Sequence, residues 1–344
     1  MGFLKNKIFI FIIIFLILIV LISVLIFTKR DNTPEEWEAT TLNAPWSTRD
    51  SHGSVVFNDK IWVFGGIDGG KDFDGNYGNL PHRSDIWSSV DGINWELITE
   101  NAPWGKRRSP SMAIFQDKIW LIGGFVEQNR NSDHKNDVWN SENGIDWKKV
   151  VSFAPWKARS GHSVVVFDNK LWIIGGVNFF ERKLKNDVWY SEDGIKWTEA
   201  SVSAPWSGRY DHTVVAFKDK LWLMGGCGFG ESSESTKNDI WSSENGKDWE
   251  LVTENAPWPA RHGHTSVVFK NNIWIISGWN TGEDKGLRDV WYSDNGSTWS
   301  KTEKDTPWQG REDHTSVIFK DKIWVLGGMD SNWEWTNDVW YSTY

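Results

Sequence analysis

One phrase recurs six times between Trp37 and Tyr344, and it limits what the chain can fold into. Its third copy runs from Ala154 through an APW step, an Arg, a β-branched run, a Gly pair and a DVW step to Trp197. The Arg falls at Arg49, Arg107, Arg159, Arg209, Arg261 and Arg311. The glycine pair falls at Gly65-Gly66, Gly123-Gly124, Gly175-Gly176, Gly225-Gly226 and Gly327-Gly328, with Ser277-Gly278 in the fifth copy. Several independent marks keep one register. A period of this length means structural units that bury their apolar faces only by stacking on one another.

Each copy predicts four short strands. In the third, Ser163–Phe167 is strand a, and Asp168-Asn169 turns tightly into strand b at Leu171–Ile174. Asp187–Ser191 is strand c. Asp193-Gly194 reads as a two-residue hairpin, because such turns need the positive φ that Gly and Asx tolerate. Lys196–Ala200 is strand d. Four antiparallel strands at this period describe a propeller blade. Of 27 tryptophans, 24 keep the register: six each in strands b, c and d and at the Pro-Trp step. Side chains repeated in every unit point to packing between units. The chain opens on a lone strand d around Trp37 and ends on strand c, Asp338–Tyr344. The first strand is therefore expected to complete the last blade, giving an all-β, six-bladed ring without a free sheet edge.

The repeated Arg, the His that follows it (His52, His162, His212, His264, His314), the Gly-Gly after strand b and the strand-d Trp resemble kelch repeats. The resemblance covers Trp37 to Tyr344 and implies a kelch-type β-propeller, here of a bacterial, membrane-anchored kind. It departs in three places. Strand b carries Trp where kelch repeats usually carry Tyr, Pro110 replaces the second His, and the hairpin S-x-D/N-G-x-x-W is similar to a sialidase Asp-box but one residue shorter.

Ahead of the repeats, Ile8–Phe27 is apolar except for Ser23. Twenty helical residues span about 30 Å, enough for a bilayer core. No small-x-small cleavage pattern follows. An uncleaved single transmembrane helix within residues 1–28 is expected, then a linker at 29–36, with the propeller of residues 37–344 outside the cytoplasm. Four of the 37 basic residues lie before Asp31, so the remainder carries a net charge of about −13. That excludes the basic face a nucleic-acid binder needs. With Cys227 alone, neither an intramolecular disulfide nor a CxxC zinc site is possible. A monomeric propeller without cofactor is expected.

In a propeller the b–c and d–a connections share one face, and here these connections vary. Variable loops on a rigid scaffold are where binding residues concentrate. Three tryptophans break the register, Trp279, Trp333 and Trp335, in the b–c loops of the fifth and sixth copies. Phe179, Phe180 and Phe229 occupy the matching loops of the third and fourth. Exposed, these aromatics would stack on a sugar or anchor a protein; the alternative is that they cap their own loops. A second set follows each repeated Arg. It includes Arg108, Tyr210, Asp211, His262, Glu312 and Asp313, expected at the channel mouth as a tailored pocket or as a solvated rim. The Arg ring itself is an anion site or structural, and its strict repetition favours structure. The His ring lacks close metal-ligand spacing. Asp72, Asp74 and Asn76 alternate as calcium ligands do, without the glycine and late Glu of an EF-hand.

Two functions follow. One is a non-enzymatic recognition module for a glycan or protein. The other is a sugar-acting enzyme: the kelch resemblance includes sialic-acid epimerases with six blades, with Glu312, His262, Asp211 or Asp313 as proton-transfer groups here. It also includes galactose oxidases, whose copper site uses Tyr, His and a Tyr–Cys crosslink. That version fits poorly, since Cys227 has no Tyr near it in sequence.

Overall fold

The β-branched runs fold as their pattern asks. The computed structural model describes residues 36–69, 81–126, 133–230 and 235–343, and every regular element among them is a β-strand. Ile8–Phe27, the linker up to residue 35 and the set Asp72, Asp74 and Asn76 lie outside the described residues. Among the described residues no helix is long and apolar enough to cross a membrane.

In the third repeat, strand a (Ser163–Phe167) pairs with strand b (Lys170–Ile174) through Asp168-Asn169, which have φ of 49° and 53°. Two successive left-handed residues make a type I′ turn, whose twist matches that of paired strands. Asn58-Asp59, Gln116-Asp117, Lys218-Asp219, Lys270-Asn271 and Lys320-Asp321 repeat it. Strand b pairs with strand c (Val188–Ser191), and strand c with strand d (Thr198–Ser201). The same antiparallel order recurs in the other repeats. The a strands of successive repeats are neighbours, and Thr315–Phe319 of the last lies beside Gly53–Phe57 of the first. Glu36–Thr41 pairs with Trp335–Thr343, placing Trp37 opposite Ser342 and Ala39 opposite Trp340. The first strand completes the last sheet, as expected.

The two-residue hairpin at Asp193-Gly194 does not form. Strand c ends at Ser191 and strand d resumes at Thr198. Between them Asp193 Oδ1 accepts the N–H groups of Ile195 (2.8 Å) and Lys196 (2.7 Å), a local Asx turn. Gly194, at φ 72°, lies against the Trp120 ring of the preceding repeat, where any Cβ would collide. Gly92, Gly144, Gly246 and Gly296 sit likewise on Trp324, Trp62, Trp172 and Trp222. The D/N-G mark therefore records contact between repeats.

The Pro-Trp tryptophans are buried and meet the strand-d tryptophans edge to face, as in Trp156–Trp197 (6.1 Å, 82°) and Trp206–Trp249 (6.0 Å, 84°). Trp37 makes the equivalent contact with Trp308 at 5.0 Å across the closure. Each repeated Arg is spent internally. Arg159 donates to both carboxylate oxygens of Asp187 (2.6 and 2.7 Å) and to the Gly175 carbonyl (2.8 Å), while the Trp189 indole donates to the same carboxylate. Arg49–Asp85, Arg107–Asp137, Arg209–Asp239, Arg261–Asp289 and Arg311–Asp338 repeat the pair. Burial alone would raise these aspartates, but the arginine's hydrogen bonds and charge outweigh it, and all six sit below the usual carboxylate range. With every guanidinium buried and doubly bonded, the Arg ring offers no anion site.

Candidate functional site

Each repeat sends two residues to the channel mouth, and the glycine pair is what positions them. Gly175 and Gly176, at φ 63° and 101°, turn strand b so that the next residue pairs back with the d–a arm of its own repeat. A Cβ on Gly176 would strike His162 and the Ser160 carbonyl, so only glycine allows the approach. The pairs so formed are Asp50–Ile67, Arg108–Phe125, Ser160–Val177, Tyr210–Cys227, His262–Trp279 and Glu312–Met329.

The following position forms the neck. Ser51, Ser109, Gly161, Asp211, Gly263 and Asp313 all have φ between 45° and 58°. Their backbones bond from repeat to repeat: Ser51 N–H to Asp313 C=O (2.9 Å), Ser109 to Ser51 (2.7 Å), Asp211 to Gly161 (2.9 Å), Gly263 to Asp211 (3.0 Å) and Asp313 to Gly263 (2.8 Å). Five of the six neighbouring pairs are bonded this way, so most of the neck's peptide groups are occupied and the chemistry falls to side chains. They open on a cavity of about 160 Å³, with a second of about 230 Å³ beneath it lined by Ser54, Ser111, Ser163, Thr213 and Thr265. Buried histidines separate the levels. His52 bonds the hydroxyl of Thr315 in the preceding repeat (2.8 Å), and His264 and His314 bond Thr213 and Thr265 likewise. Burial and the adjacent arginines hold His52 and His314 neutral down to about pH 3.

Four acids stand at the two positions after the repeated Arg, and of these Asp211 and Asp313 line the neck cavity. Asp50 and Glu312 are buried, Asp211 and Asp313 half-buried. The side chains of Asp211 and Asp313 lean over Gly161 and Gly263, where a Cβ would come within 2.6 and 2.9 Å of their Oδ1 atoms. Asp313 Oδ2 accepts the Ser51 hydroxyl at 2.9 Å, and Glu312 Oε2 lies 3.3 Å from His262 Nδ1. Burial, then the charge of Asp313, pushes Asp50 up to about 8; a hydrogen bond from the Trp335 indole and the charge of Arg108 oppose this. The same causes hold Asp211 and Glu312 well above the ordinary range. Burial lowers His262.

An aromatic wall rises on one side. Arg108 lies 4.8 Å over the Phe125 ring. Phe125 stacks on Phe180 (5.9 Å), His134 touches Phe125, Phe179 and Phe180, and Phe179 meets Tyr210 (5.4 Å) and Phe229 (6.4 Å). Phe179, Phe180 and Phe229 are exposed. The three off-register tryptophans do not form an exposed set. Trp279 and Trp335 are 4% and 9% exposed; only Trp333, at 48%, is open, its ring 5.2 Å from Trp279. Trp279 is held by its pairing with His262, and Trp335 lies against Gly69. The open aromatic surface therefore belongs to the second, third and fourth repeats, with Trp333 apart from it.

Of the residues singled out after the repeated Arg, Asp211 and Asp313 line the neck cavity, while Arg108, Tyr210, His262 and Glu312 stand one position earlier, paired with the residue that follows each glycine step. Sequence reasoning passed over Asp50 as a leading residue, and Phe125 and His134 entirely. The signal for Phe125 was available, since it directly follows a glycine pair. Tyr210 and Cys227 are far apart in sequence but are bridged on adjacent strands of one repeat, where burial raises both groups. Among the described residues no group of three or more His, Cys, Asp or Glu is placed to hold a metal.

Known proteins share this architecture. The family described as the KLHDC2/KLHL20/DRC7 Kelch-repeats domain matches residues 145–328, more than half of the chain. Over 99 residues the chain is 39% identical to protein tag-53 of Caenorhabditis elegans, which takes in 28% of this chain and 7% of that protein. The chain thus spans a small fraction of that relative's length. The solved structure titled "Structure of YjhT" resembles it with a TM-score of 0.68 at 16% identity, over 88% of this chain and 96% of the other, a likeness of fold. With the Arg, His, Gly-Gly and Trp marks kept in register and the family pattern matched over more than half its length, the chain belongs to the kelch-repeat family of β-propellers.

Proposed function

We propose that this chain is a membrane-anchored recognition module, a monomeric six-bladed kelch propeller that binds a glycan or protein partner at its channel mouth. Ile8–Phe27 would supply the anchor and place the propeller outside the cytoplasm. One observation carries the reading. Positions that repeat strictly are buried within and between repeats, while those that vary gather at one mouth, where acidic side chains sit beside exposed aromatics. Buried polar groups fix orientation and aromatic faces supply contact area, the usual division of labour in a binding site. Glycan arrays and pull-downs with the full chain test it. Binding should weaken at least tenfold in Phe179→Ala and Phe180→Ala; binding indifferent to both would remove the mouth from the reading.

A second reading is a sugar epimerase or mutarotase. The contact between His262 and Glu312 favours it, because it sets an acid and a base within reach of proton transfer. Mutarotation of free sugars, abolished in Glu312→Gln, is the expected sign; no rate above buffer sets the enzyme aside.

A further inference from the structure

We propose that the propeller face opposite the channel mouth rests on a lipid bilayer and touches it through Ile93, Ile145 and Ile195. The proposal rests on the membrane-anchored reading above and takes it further: the anchor's bilayer is also a docking surface, and the mouth is held facing away from it.

The three isoleucines hold one position in the c–d turns of the first three repeats, each directly after the turn glycine. Gly92, Gly144 and Gly194 lie against Trp324, Trp62 and Trp120 of the preceding repeats, so the turns are set in equivalent places around the ring. Each turn is also pinned. The N–H groups of Ile93, Ile145 and Ile195 donate to Oδ1 of Asp91 (2.9 Å), Asn143 (2.9 Å) and Asp193 (2.8 Å). Their side chains nevertheless stand out in solvent, 55%, 54% and 48% exposed, with Val90 exposed beside the first. The turn does not need them. Lys247 and Ser297 fill the position in the fourth and fifth repeats on the same cap, bonded to Asn245 and Asn295 at 2.9 Å each. One exposed apolar residue means little, but a pinned turn that presents one on three successive repeats marks a contact surface.

These turns belong to one face. The side chain of Gln116, in an a–b turn, donates to the Glu192 carbonyl in the c–d turn of the next repeat (3.0 Å), and Lys218 does the same to Asp294 (2.6 Å). Alternating strands put this face opposite the b–c and d–a connections that build the mouth. The first strand also starts on it. Glu36 pairs with Thr343, where the other repeats make their c–d turn, and Thr40 Oγ1 donates to the Gly92 carbonyl beside Ile93 (2.8 Å). Residues 29–36 join that strand to the apolar run Ile8–Phe27, and eight extended residues reach at most about 28 Å. A bilayer crossed by that run lies within reach of the three turns.

Shape and charge select the occupant. The tips sit one to a repeat along an arc, and a flat, fluid surface meets all three at once. The contact is apolar, its strength set by the side-chain area that leaves water. Glu142 and Glu192 on the same turns are paired with Lys118 (2.8 Å) and Lys170 (3.8 Å). The repeats carry a net charge of about −13, which disfavours anionic headgroups, so a zwitterionic surface fits best.

The test incorporates the full chain into phosphatidylcholine nanodiscs. Ile93→Cys, Ile145→Cys and Ile195→Cys each carry a bimane label. Ser297→Cys in the fifth repeat and Phe180→Cys at the mouth are the controls, and the wild type, with Cys227 buried, gives the background. Lipids bearing a nitroxide near the headgroup should quench the first three at least twofold more than the controls, equally at low and high salt. All five variants should melt with the wild type, since the positions are exposed. No excess quenching at the three turns, in discs that hold the chain, overturns the proposal and leaves the anchor standing. Quenching that needs phosphatidylserine and vanishes at high salt overturns it in favour of headgroup electrostatics. Quenching at Phe180→Cys as strong as at the turns overturns it by putting the mouth on the lipid. A chain that enters neither discs nor vesicles overturns the proposal and the anchor together.

Discussion

Asp50→Asn should make the protein more stable, and by an amount that depends on pH. Asp50 is buried beside Asp313, and its carboxyl is pushed from an ordinary 3.8 to about 8. The sign follows from proton uptake. Between pH 4 and pH 8 the folded chain holds a proton on Asp50 that the unfolded chain has released, so stability falls as pH rises across that window. Below about pH 4 both states are protonated and the penalty vanishes; above about pH 8 it is complete. At 1.36 kcal/mol per pH unit the ceiling is about 6 kcal/mol at pH 8 and about 4 kcal/mol at pH 7. Relaxation and water entry reduce such figures, and about 2–3 kcal/mol is the working expectation at pH 8. Asparagine keeps the shape, cannot ionise, and offers N–H groups to Asp313. For about 300 residues, 2–3 kcal/mol corresponds to a rise in Tm of roughly 3–5 °C. Calorimetric melting of both proteins at pH 4 and pH 8 checks it. A lower Tm for Asp50→Asn at pH 8, or a difference that is the same at both pH values, would refute the reasoning.

Other perturbations probe the scaffold. Asp239→Ala strands the buried Arg209 guanidinium and should cost about 3–5 kcal/mol in denaturant unfolding. Trp206→Ala, at a site 1% exposed, should cost about 3–5 kcal/mol by the same measurement. Gly194→Val adds a branched Cβ at φ 72° against the Trp120 ring, and should lower Tm while the exposed Asp193 turn beside it still forms. His52, His162, His212 and His314 stay neutral to about pH 3, whereas the unfolded chain takes up their protons near pH 6.5. Their contribution therefore has the opposite sign to that of Asp50: stability is lost as pH falls below about 6.5, visible as a falling Tm between pH 6.5 and pH 4.

Much of the fold could be read from period alone. Repetition gave the strand order, the I′ turns at Asp168-Asn169 and its equivalents, and the pairing of Trp37 with the last strand. The same logic misled at Asp193-Gly194. A D-G step looks the same whether its positive φ closes a hairpin or clears space for a neighbour's Trp120. The aspartate partners of the arginines were in plain view, two residues before each strand-c Trp. They passed unremarked because a local reading does not show that residues 28 apart, as Arg159 and Asp187 are, will meet. Burial of Trp279 and Trp335 was hidden for the same reason: it depends on pairing with His262 on the adjacent arm and packing on Gly69, contacts that no spacing encodes.

The division between repeated and unrepeated residues bears on where a ligand must go. A ring whose repeated Arg side chains bond internally and whose repeated Trp rings pack between repeats has little to offer a partner at those positions. The residues after each Arg are exempt, because their backbones are fixed by the b-strand arm and the neck ring while their side chains differ from repeat to repeat. That freedom has been used in one direction. Burying Asp50, Asp211 and Glu312 near one another opposes stability, since each is desolvated and faces the charge of neighbouring acids. Serine or glycine fills the same positions in neighbouring repeats without such a penalty, as Ser160, Ser109, Gly161 and Gly263 demonstrate. A scaffold that can do without these acids and still carries them departs from its own packing rule at the mouth, and departures of that kind mark the places where proteins trade stability for function.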